Sequence, residues 1–187
     1  SNAVADNGDP PYVSYTSDWI RSFGTMNGGN AGGWCNAVAS SASGSPGRIG
    51  YWGIVLASNL VVTCHVPICI INDSVGGTRI DQHQANPANH YSAGAGNTYS
   101  IYSSILNRVA GASLTNGIRG VLWHQGENNS GAADPTGDWD YKAYQQYFVE
   151  MSAAWKQDYP NIQHYYIYQI WPRPCSMGPK GDQLRDV

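Results

Sequence analysis

Charged side chains are scarce in this sequence, at 12% of its 187 residues, which is about half of the usual quarter. Lys and Arg number 10 against 13 Asp and Glu, so the formal net charge is −3. A surface that binds nucleic acid or an anionic membrane needs clustered basic residues, and no apolar run approaches the roughly 18 residues of a membrane span. We therefore expect no nucleic-acid partner and no membrane partner.

Metal-binding patterns are also missing. The four cysteines form no C-x-x-C pair, and the five histidines form no H-x-x-x-H or H-E-x-x-H spacing, so we expect no metal and no other cofactor. Cys35, Cys64, Cys69 and Cys175 allow three complete disulfide pairings, and their spacing does not choose among them. Their even number and the low charge are typical of exported proteins, which predicts a secreted or periplasmic location.

Tyrosine and tryptophan are abundant, with 13 and 7 residues against only 2 phenylalanines. Aromatic residues with a polar tip suit surfaces that meet sugars, although packing in a core explains each of them as well. Those in loops or near the ends of elements are the candidates for a sugar-stacking wall: Trp34, Tyr91, Tyr99, Trp139 and Trp171. The length predicts a single domain, which we place at residues 4–187, because Ser1-Asn2-Ala3 resembles the remnant of a cleaved purification tag.

Apolar residues recur at helical spacing in three segments, and each segment is followed by a predicted strand. The first two of these strands are short apolar runs typical of buried strands. The predicted order is helix 48–62, strand 66–72, helix 98–114, strand 120–124, helix 141–159 and strand 164–170. This alternation predicts an α/β fold with parallel strands. Residues 4–47, rich in Gly, Asn and Ser, are expected to form a long irregular segment. The expected buried face of the first helix carries Ile49, Trp52, Leu56 and Leu60.

Polar residues and glycines follow the predicted strands, at the edge where parallel sheets place their sites. After the first strand, Gly76, Gly77 and Thr78 free the backbone to aim N–H groups at an anion, although a plain turn also explains them. After the second strand, Gln125 has an amide that can donate to a developing oxyanion, and Glu127 brings a carboxylate to the same rim. The strand ends therefore predict an active site.

Histidines also lie near these strand ends. His83 and His90 fall in the loop after Gly-Gly-Thr, from which their side chains can line a cleft. His124 directly precedes Gln125 on the predicted strand, so we expect the two side chains to point to opposite sides.

At these residues the sequence resembles a known family. The segment IINDSVGGTRIDQH, followed later by GVLWHQGENN, is similar to the carbohydrate esterases of the sialic-acid-specific acetylesterase type, within the SGNH hydrolase superfamily. The resemblance covers roughly residues 48–187. It implies a three-layer α/β/α flavodoxin-like fold, which we expect to be incomplete at both ends. It also implies a serine mechanism that removes O-acetyl groups from sugars without a metal, and therefore an acetylated carbohydrate as substrate.

The resemblance also assigns roles to residues of this chain. One of the backbone N–H groups of Gly76 and Gly77 would serve the oxyanion hole, and the side chain of Gln125 would supply a second donor. Glu127 would organise the site through hydrogen bonds. Residues around these blocks are assigned to substrate binding: Thr78, Arg79, His83 and Trp171.

Two parts of the family's catalytic set have no match. The chain contains no Gly-Gln-Ser-Asn segment for a nucleophile and no Asp-x-x-His pair for a base, since the Asp81-Gln-His83 run is one residue too short. The serines considered as substitute nucleophiles do not lie in such a segment: Ser14, Ser17 and Ser74. Acyl transfer needs a nucleophile, a base and an oxyanion hole. We therefore expect the 187 residues alone to be inactive, as a partial domain of an esterase.

Two further functions remain open from the sequence. A non-catalytic carbohydrate-binding domain on the same fold explains the excess of Tyr and Trp without requiring a nucleophile. A glycoside hydrolase would use Glu127 with Asp81 or Asp73, and it requires two carboxyl groups about 5–10 Å apart.

Overall fold

The computed structural model describes residues 15–26, 29–40, 46–131, 141–170 and 184–185. These residues fall into two compact units. The first unit takes its residues from 15–74 and 104–114, and the second from 75–103 and 115–185. Helices and strands are mixed in the chain, so the predicted α/β class is confirmed. No helix among the described residues is long and apolar enough to cross a membrane.

The first unit contains a three-stranded sheet in the order β2-β1-β3. Strand β1 (Ile20–Thr25) pairs antiparallel with β2 (Gly29–Asn36) and parallel with β3 (Ile68–Cys69). The expectation that residues 4–47 are irregular is therefore wrong over both strands. Five of the eight residues of β2 are Gly or Asn, which weaken a strand pattern. The alternation of side chains that would predict this hairpin is therefore absent from the sequence.

Helix α1 (Tyr51–Cys64) begins after Gly50 and ends at His65, whose left-handed backbone lets its N–H bond to the Val61 carbonyl oxygen at 3.0 Å. Its buried face consists of Gly53, Ile54, Ala57 and Ser58. The expected face is correct only in part, because Ile49 is buried, Trp52 and Leu56 are partly buried and Leu60 is 37% exposed. Ile54 and Ala57 of the helix pack in a core with Ile20, Ala37, Ala39 and Ile49.

Strand β3 is shorter than the predicted strand 66–72, and it is not buried on both faces. It pairs with β1 through Ile68 and Cys69 only, and Cys69 is exposed. Within the described residues β3 lies at the edge of its sheet. It therefore has a hydrogen-bonded neighbouring strand on one side, where a central strand has two. Three of the cysteines, Cys35, Cys64 and Cys69, are free thiols, and Cys175 lies outside the described residues.

The second unit is built on β4 (Gly120–Trp123) and β5 (His164–Ile167), which pair in parallel from Gly120↔His164 to Trp123↔Ile167. This confirms the predicted parallel pairing. The short helix α3 (Glu127–Gly131) and α4 (Tyr141–Asp158) connect the two strands. Helix α2 (Ser100–Gly111) precedes β4 in the chain, and its residues from Ser104 onward belong to the first unit. The predicted strand at 164–170 is present over His164–Ile167, and Tyr166 and Ile167 on it are more than half exposed.

Aromatic side chains form much of the core of the second unit. Trp123 and Trp155 pack edge to face with their ring centroids 5.6 Å apart, and Trp155 stacks on Tyr165 at 6.0 Å. Phe148 completes this cluster at 6.4 Å from Trp155. Part of the excess of Tyr and Trp is therefore explained by packing in the core, the alternative to a sugar-binding surface.

Candidate active site

Two polar segments of the second unit meet at the candidate site. The side-chain amide of Gln125 donates to the carbonyl oxygen of Thr78 at 2.9 Å. The amide of Asn128 donates to the carbonyl oxygen of Gly77 at 2.7 Å. The structure therefore brings together the Gly-Gly-Thr and Gln-Gly-Glu motifs that the sequence placed after different strands.

The backbone of Gly76 and Gly77 faces open space. Both residues are exposed, Gly77 has a φ of 74°, and a Cβ built on either glycine would have no neighbour within 4 Å. No acceptor in the described part of the chain takes either N–H. The carbonyl groups of Gly77 and Thr78 are bonded by Asn128 and Gln125. N–H groups without an acceptor in the protein, as at these two glycines, are what an anion cradle requires.

Gln125 is 5% exposed and uses both of its amide protons within the protein. One goes to the Thr78 carbonyl oxygen and the other to Oδ1 of Asn129, at 2.8 Å. Oδ1 of Asn129 also accepts the N–H of Ile80 at 3.0 Å, which fixes the orientation of that amide. Direct donation from Gln125 to an oxyanion would therefore exchange one of these two bonds.

The backbone around Gln125 is held from helix α4. The hydroxyl of Tyr144 donates to the Gln125 carbonyl oxygen at 2.9 Å and accepts the indole N–H of Trp123 at 3.0 Å. Burial raises the pKa of Tyr144, so the hydroxyl keeps the proton that it donates. The next residue must be glycine, because Gly126 has a φ of 145° and a Cβ there would lie 3.0 Å from Cγ2 of Ile170.

Glu127 begins helix α3 and contacts a histidine at the rim. Its Oε1 lies 3.4 Å from Nε2 of His124, and each side chain is nearly a third exposed. Burial lowers the pKa of His124, and the Glu127 carboxylate opposes that shift. The His124 ring also lies 6.1 Å from that of Tyr168, so His124 and Gln125 have different partners. Strand β4 ends at Trp123, so the two residues lie after the strand in which they were predicted.

The residues assigned to substrate binding have different surroundings. Arg79 forms a two-pronged ion pair with Asp81, with both N···O distances at 2.9 Å. His83 is 8% exposed and contacts Oγ1 of Thr78, so it lies beneath the turn rather than along an open cleft. Trp171 falls outside the described residues.

His90, the other histidine of this loop, lies in a separate cluster. Its Nδ1 is 2.8 Å from Oδ2 of Asp158, which also accepts the hydroxyl proton of Tyr102 at 2.6 Å. Burial and this bond raise the pKa of Tyr102. None of the contacts of His90 involves the Gly76–Thr78 turn.

The carboxylates proposed for glycoside hydrolysis already have cationic partners. In the first unit, Oδ1 of Asp73 accepts a proton from Arg108 at 2.9 Å, and both side chains are almost completely buried. Asp81 is paired with Arg79. Because each of the two carboxylates is bonded to an arginine, neither is a free acid or base, which does not favour this alternative. No three His, Cys, Asp or Glu side chains converge as metal ligands among the described residues.

The serines considered as substitute nucleophiles also lack a base. Oγ of Ser17 accepts the backbone N–H of Trp19 at 3.2 Å. Oγ of Ser74 is buried and has no hydrogen-bond partner among the described residues. Ser14 lies outside them. Neither described serine has the hydrogen-bonded histidine that activates a hydroxyl.

Sequence reasoning missed three residues that shape this site: Asn128, Asn129 and Tyr144. The first two were visible as an amide pair directly after Gln-Gly-Glu, a position where side-chain amides commonly bond to neighbouring loops. Tyr144 follows the helical pattern of α4, and nothing in that pattern separates it from core tyrosines.

The family model for carbohydrate esterases, sialic acid-specific acetylesterases, matches residues 46–167, which is more than half of the chain and includes both motifs. The chain belongs to this family. The expected resemblance of residues 168–187 lies beyond the matched range. No curated protein sequence matches the chain.

The crystal structure of XAC1771, described as a novel carbohydrate acetylesterase from Xanthomonas citri, has a similar fold. The TM-score is 0.52 at 22% sequence identity, and the match covers 86% of this chain. The chain spans only 36% of the length of XAC1771. This likeness supports the assignment of the fold.

Proposed function

We propose that this chain supplies the oxyanion-binding part of a site that hydrolyses acetyl esters on carbohydrates. Membership of the acetylesterase family supports the reaction class. The observation that carries the proposal is the Gly76–Thr78 turn, whose carbonyl groups are bonded by Gln125 and Asn128 while the N–H groups of its two glycines remain available.

In the proposed reaction, a serine oxygen attacks the acetyl carbonyl carbon and the carbonyl oxygen becomes an oxyanion. The N–H groups of Gly76 and Gly77 donate to that oxygen as its charge develops. The tetrahedral intermediate then expels the sugar oxygen, which takes a proton, and water releases acetate from the acyl-enzyme. The chain contains no Gly-Gln-Ser-Asn segment and no Asp-x-x-His pair, so we assign neither the nucleophile nor the base to any of the 187 residues.

The remaining residues are proposed to keep the donors in place. Gln125 holds the Thr78 carbonyl group, and an exchange of one of its bonds would let it donate to the oxyanion as well. Glu127, with His124 beside it, organises the rim. Preorganised donors stabilise the developing charge without reorganising during the reaction. One such donor lowers the activation free energy by about 3 kcal/mol.

Hydrolysis of 4-nitrophenyl acetate tests the proposal, measured on the 187-residue chain and on the complete gene product side by side. We expect saturable turnover by the gene product and none by the 187 residues. Absence of turnover by the gene product, on this ester and on acetylated sugars, would overturn the esterase proposal. Turnover by the 187 residues alone would show that they contain a nucleophile that the motifs do not reveal.

A carbohydrate-binding function without catalysis is the second candidate. Trp19 and Trp34 of the first unit are 50% and 45% exposed, and exposed tryptophans stack on sugars. Under this alternative, the gene product binds sugars in calorimetry but releases no acetate. For either function we also propose a location outside the cytoplasm, which the low charge of the sequence supports.

A further inference from the structure

We infer that His83 is a positioning residue of the oxyanion turn, which it holds by donating the proton on Nε2 to the hydroxyl oxygen of Thr78. The inference rests on the proposed function of the turn. It gives His83 a part in orienting the donors in place of contact with the substrate.

The position of the proton follows from the two contacts of the Thr78 hydroxyl. Its Oγ1 lies 2.7 Å from the carbonyl oxygen of Val75 and 2.8 Å from Nε2 of His83. A carbonyl oxygen has no proton to give, so the single hydroxyl proton of Thr78 lies toward Val75. The hydroxyl oxygen must therefore accept from His83, and Nε2 carries a proton.

The surroundings of His83 keep the ring neutral. Burial lowers its pKa to about 4, and the nearby Asp81 carboxylate opposes this shift without cancelling it. The other ring contact is the uncharged indole of Trp123, edge to face at 5.2 Å and 89°. Near neutral pH, the imidazole therefore has one proton, on Nε2, and a bare Nδ1.

This bond matters because the turn contains two adjacent glycines, the residues with the greatest backbone freedom. The Thr78 hydroxyl closes the turn onto Val75, and His83 fixes the hydroxyl. The Thr78 carbonyl is held separately by Gln125. Thr78 is thus held at its side chain and at its backbone, and the N–H groups of Gly76 and Gly77 lie within the segment closed in this way.

Nitrogen-15 NMR of the complete gene product with labelled histidine tests the bond without any activity. We expect the His83 signals of a neutral ring protonated on Nε2, unchanged between about pH 5.5 and 8. The same signals are expected in Thr78→Ser, which keeps the hydroxyl, and altered ones in Thr78→Val, which loses it. A proton on Nδ1, a titration within that range, or identical signals in the two variants would overturn the inference.

Kinetics of acetyl-ester hydrolysis test the positioning role. His83→Gln keeps an N–H donor near the place of Nε2, whereas His83→Phe keeps the ring shape and loses the donor. We expect His83→Phe to lower kcat about tenfold with little change in KM, and His83→Gln to stay within about threefold of the wild type. Equal kcat values for the two variants would overturn the role. If His83→Phe does not fold, the comparison of Thr78→Val with Thr78→Ser gives the same test.

If the gene product shows no esterase activity at all, the proposed function fails, while the NMR result still decides whether the hydrogen bond between His83 and Thr78 exists.

Discussion

Gln125 joins its own loop to the Gly-Gly-Thr turn by donating a side-chain proton to the carbonyl oxygen of Thr78, at 2.9 Å. Its second proton is bound to Asn129 at 2.8 Å. A residue that the family resemblance offers as a direct oxyanion donor is, in this structure, a link between two loops. We therefore propose that the primary oxyanion donors are the backbone N–H groups of Gly76 and Gly77, which depend on the bonds that hold this turn in place.

Asn128 provides the second link, and its loss should weaken catalysis moderately. Asn128→Ala removes the 2.7 Å bond to the Gly77 carbonyl, which we expect to lower kcat of the gene product by about threefold to tenfold, because a net hydrogen bond contributes about 1 kcal/mol. The matched control is Asn161→Ala, which removes a similar exposed bond to the Asn116 carbonyl and should leave kcat unchanged. Equal kcat values for both variants would contradict this role of Asn128.

The two adjacent glycines should differ in their tolerance of a side chain. Gly77→Ala places a Cβ on a residue with a φ of 74°, which should lower the free energy of unfolding by about 1 kcal/mol. Gly76 has no positive φ and has open space around it, so Gly76→Ala should retain the stability of the wild type. Urea unfolding of both variants measures this, and a greater loss at Gly76 would be inconsistent with the structure of the turn.

Loss of the buried ion pair between Arg108 and Asp73 in the first unit should lower the free energy of unfolding strongly. Arg108 donates to the carbonyl oxygens of Phe23 and Asn72 as well as to Asp73. Arg108→Met leaves the buried carboxylate without its guanidinium partner, so we expect a loss of about 3–5 kcal/mol in the free energy of unfolding. The exposed Arg119, whose guanidinium bonds to the Asn116 carbonyl oxygen, is the control, and Arg119→Met should cost less than about 0.5 kcal/mol. Similar losses for the two variants would contradict the assignment.

The buried His83 should make stability depend on pH. Its folded-state pKa of about 4 lies below the ordinary value of 6.5, so the unfolded chain binds a proton first as the pH falls. Above about pH 6.5, His83 is neutral in both states and does not reduce the free energy of unfolding. As the pH falls from there toward 4, the free energy of unfolding decreases by up to about 3 kcal/mol.

Urea unfolding of the wild type and of His83→Gln, each at about pH 7 and about pH 4.5, isolates this contribution from the other titrating groups. The wild type should lose more stability on acidification than the variant. Parallel losses would show that His83 is not held neutral in the folded state.

The second unit was largely predictable from the sequence, and the first was not. Periodicity located α4 and the strands beginning at Gly120 and His164, because long helices and apolar runs carry strong local signals. The hairpin of β1 and β2 was not predicted, since glycines in β2 replace the alternating side chains that indicate a strand. The buried face of α1 was predicted only in part, because Ile49 is buried as expected, whereas Ile54 and Ala57 occupy the core in place of Leu56 and Leu60.

The candidate site was predictable at the level of which motifs meet. Strand-end chemistry placed Gly76, Gly77 and Gln125 at one site, and hydrogen bonds between Gln125 and the turn agree with that placement. Which atoms bond was not predictable, because an amide has two protons and the choice of acceptor depends on tertiary geometry. The burial of His83 beneath the turn was not predictable either, because it also depends on tertiary geometry.

Turnover of 4-nitrophenyl acetate by the gene product carrying Gln125→Ala is the most direct test of the account. The change removes the link to Thr78 and any donation by Gln125 itself, so kcat should fall by about 100-fold or more. Gln146→Ala, on the exposed face of α4, should keep the turnover of the wild type. A kcat for Gln125→Ala within about twofold of the wild type would contradict the central claim.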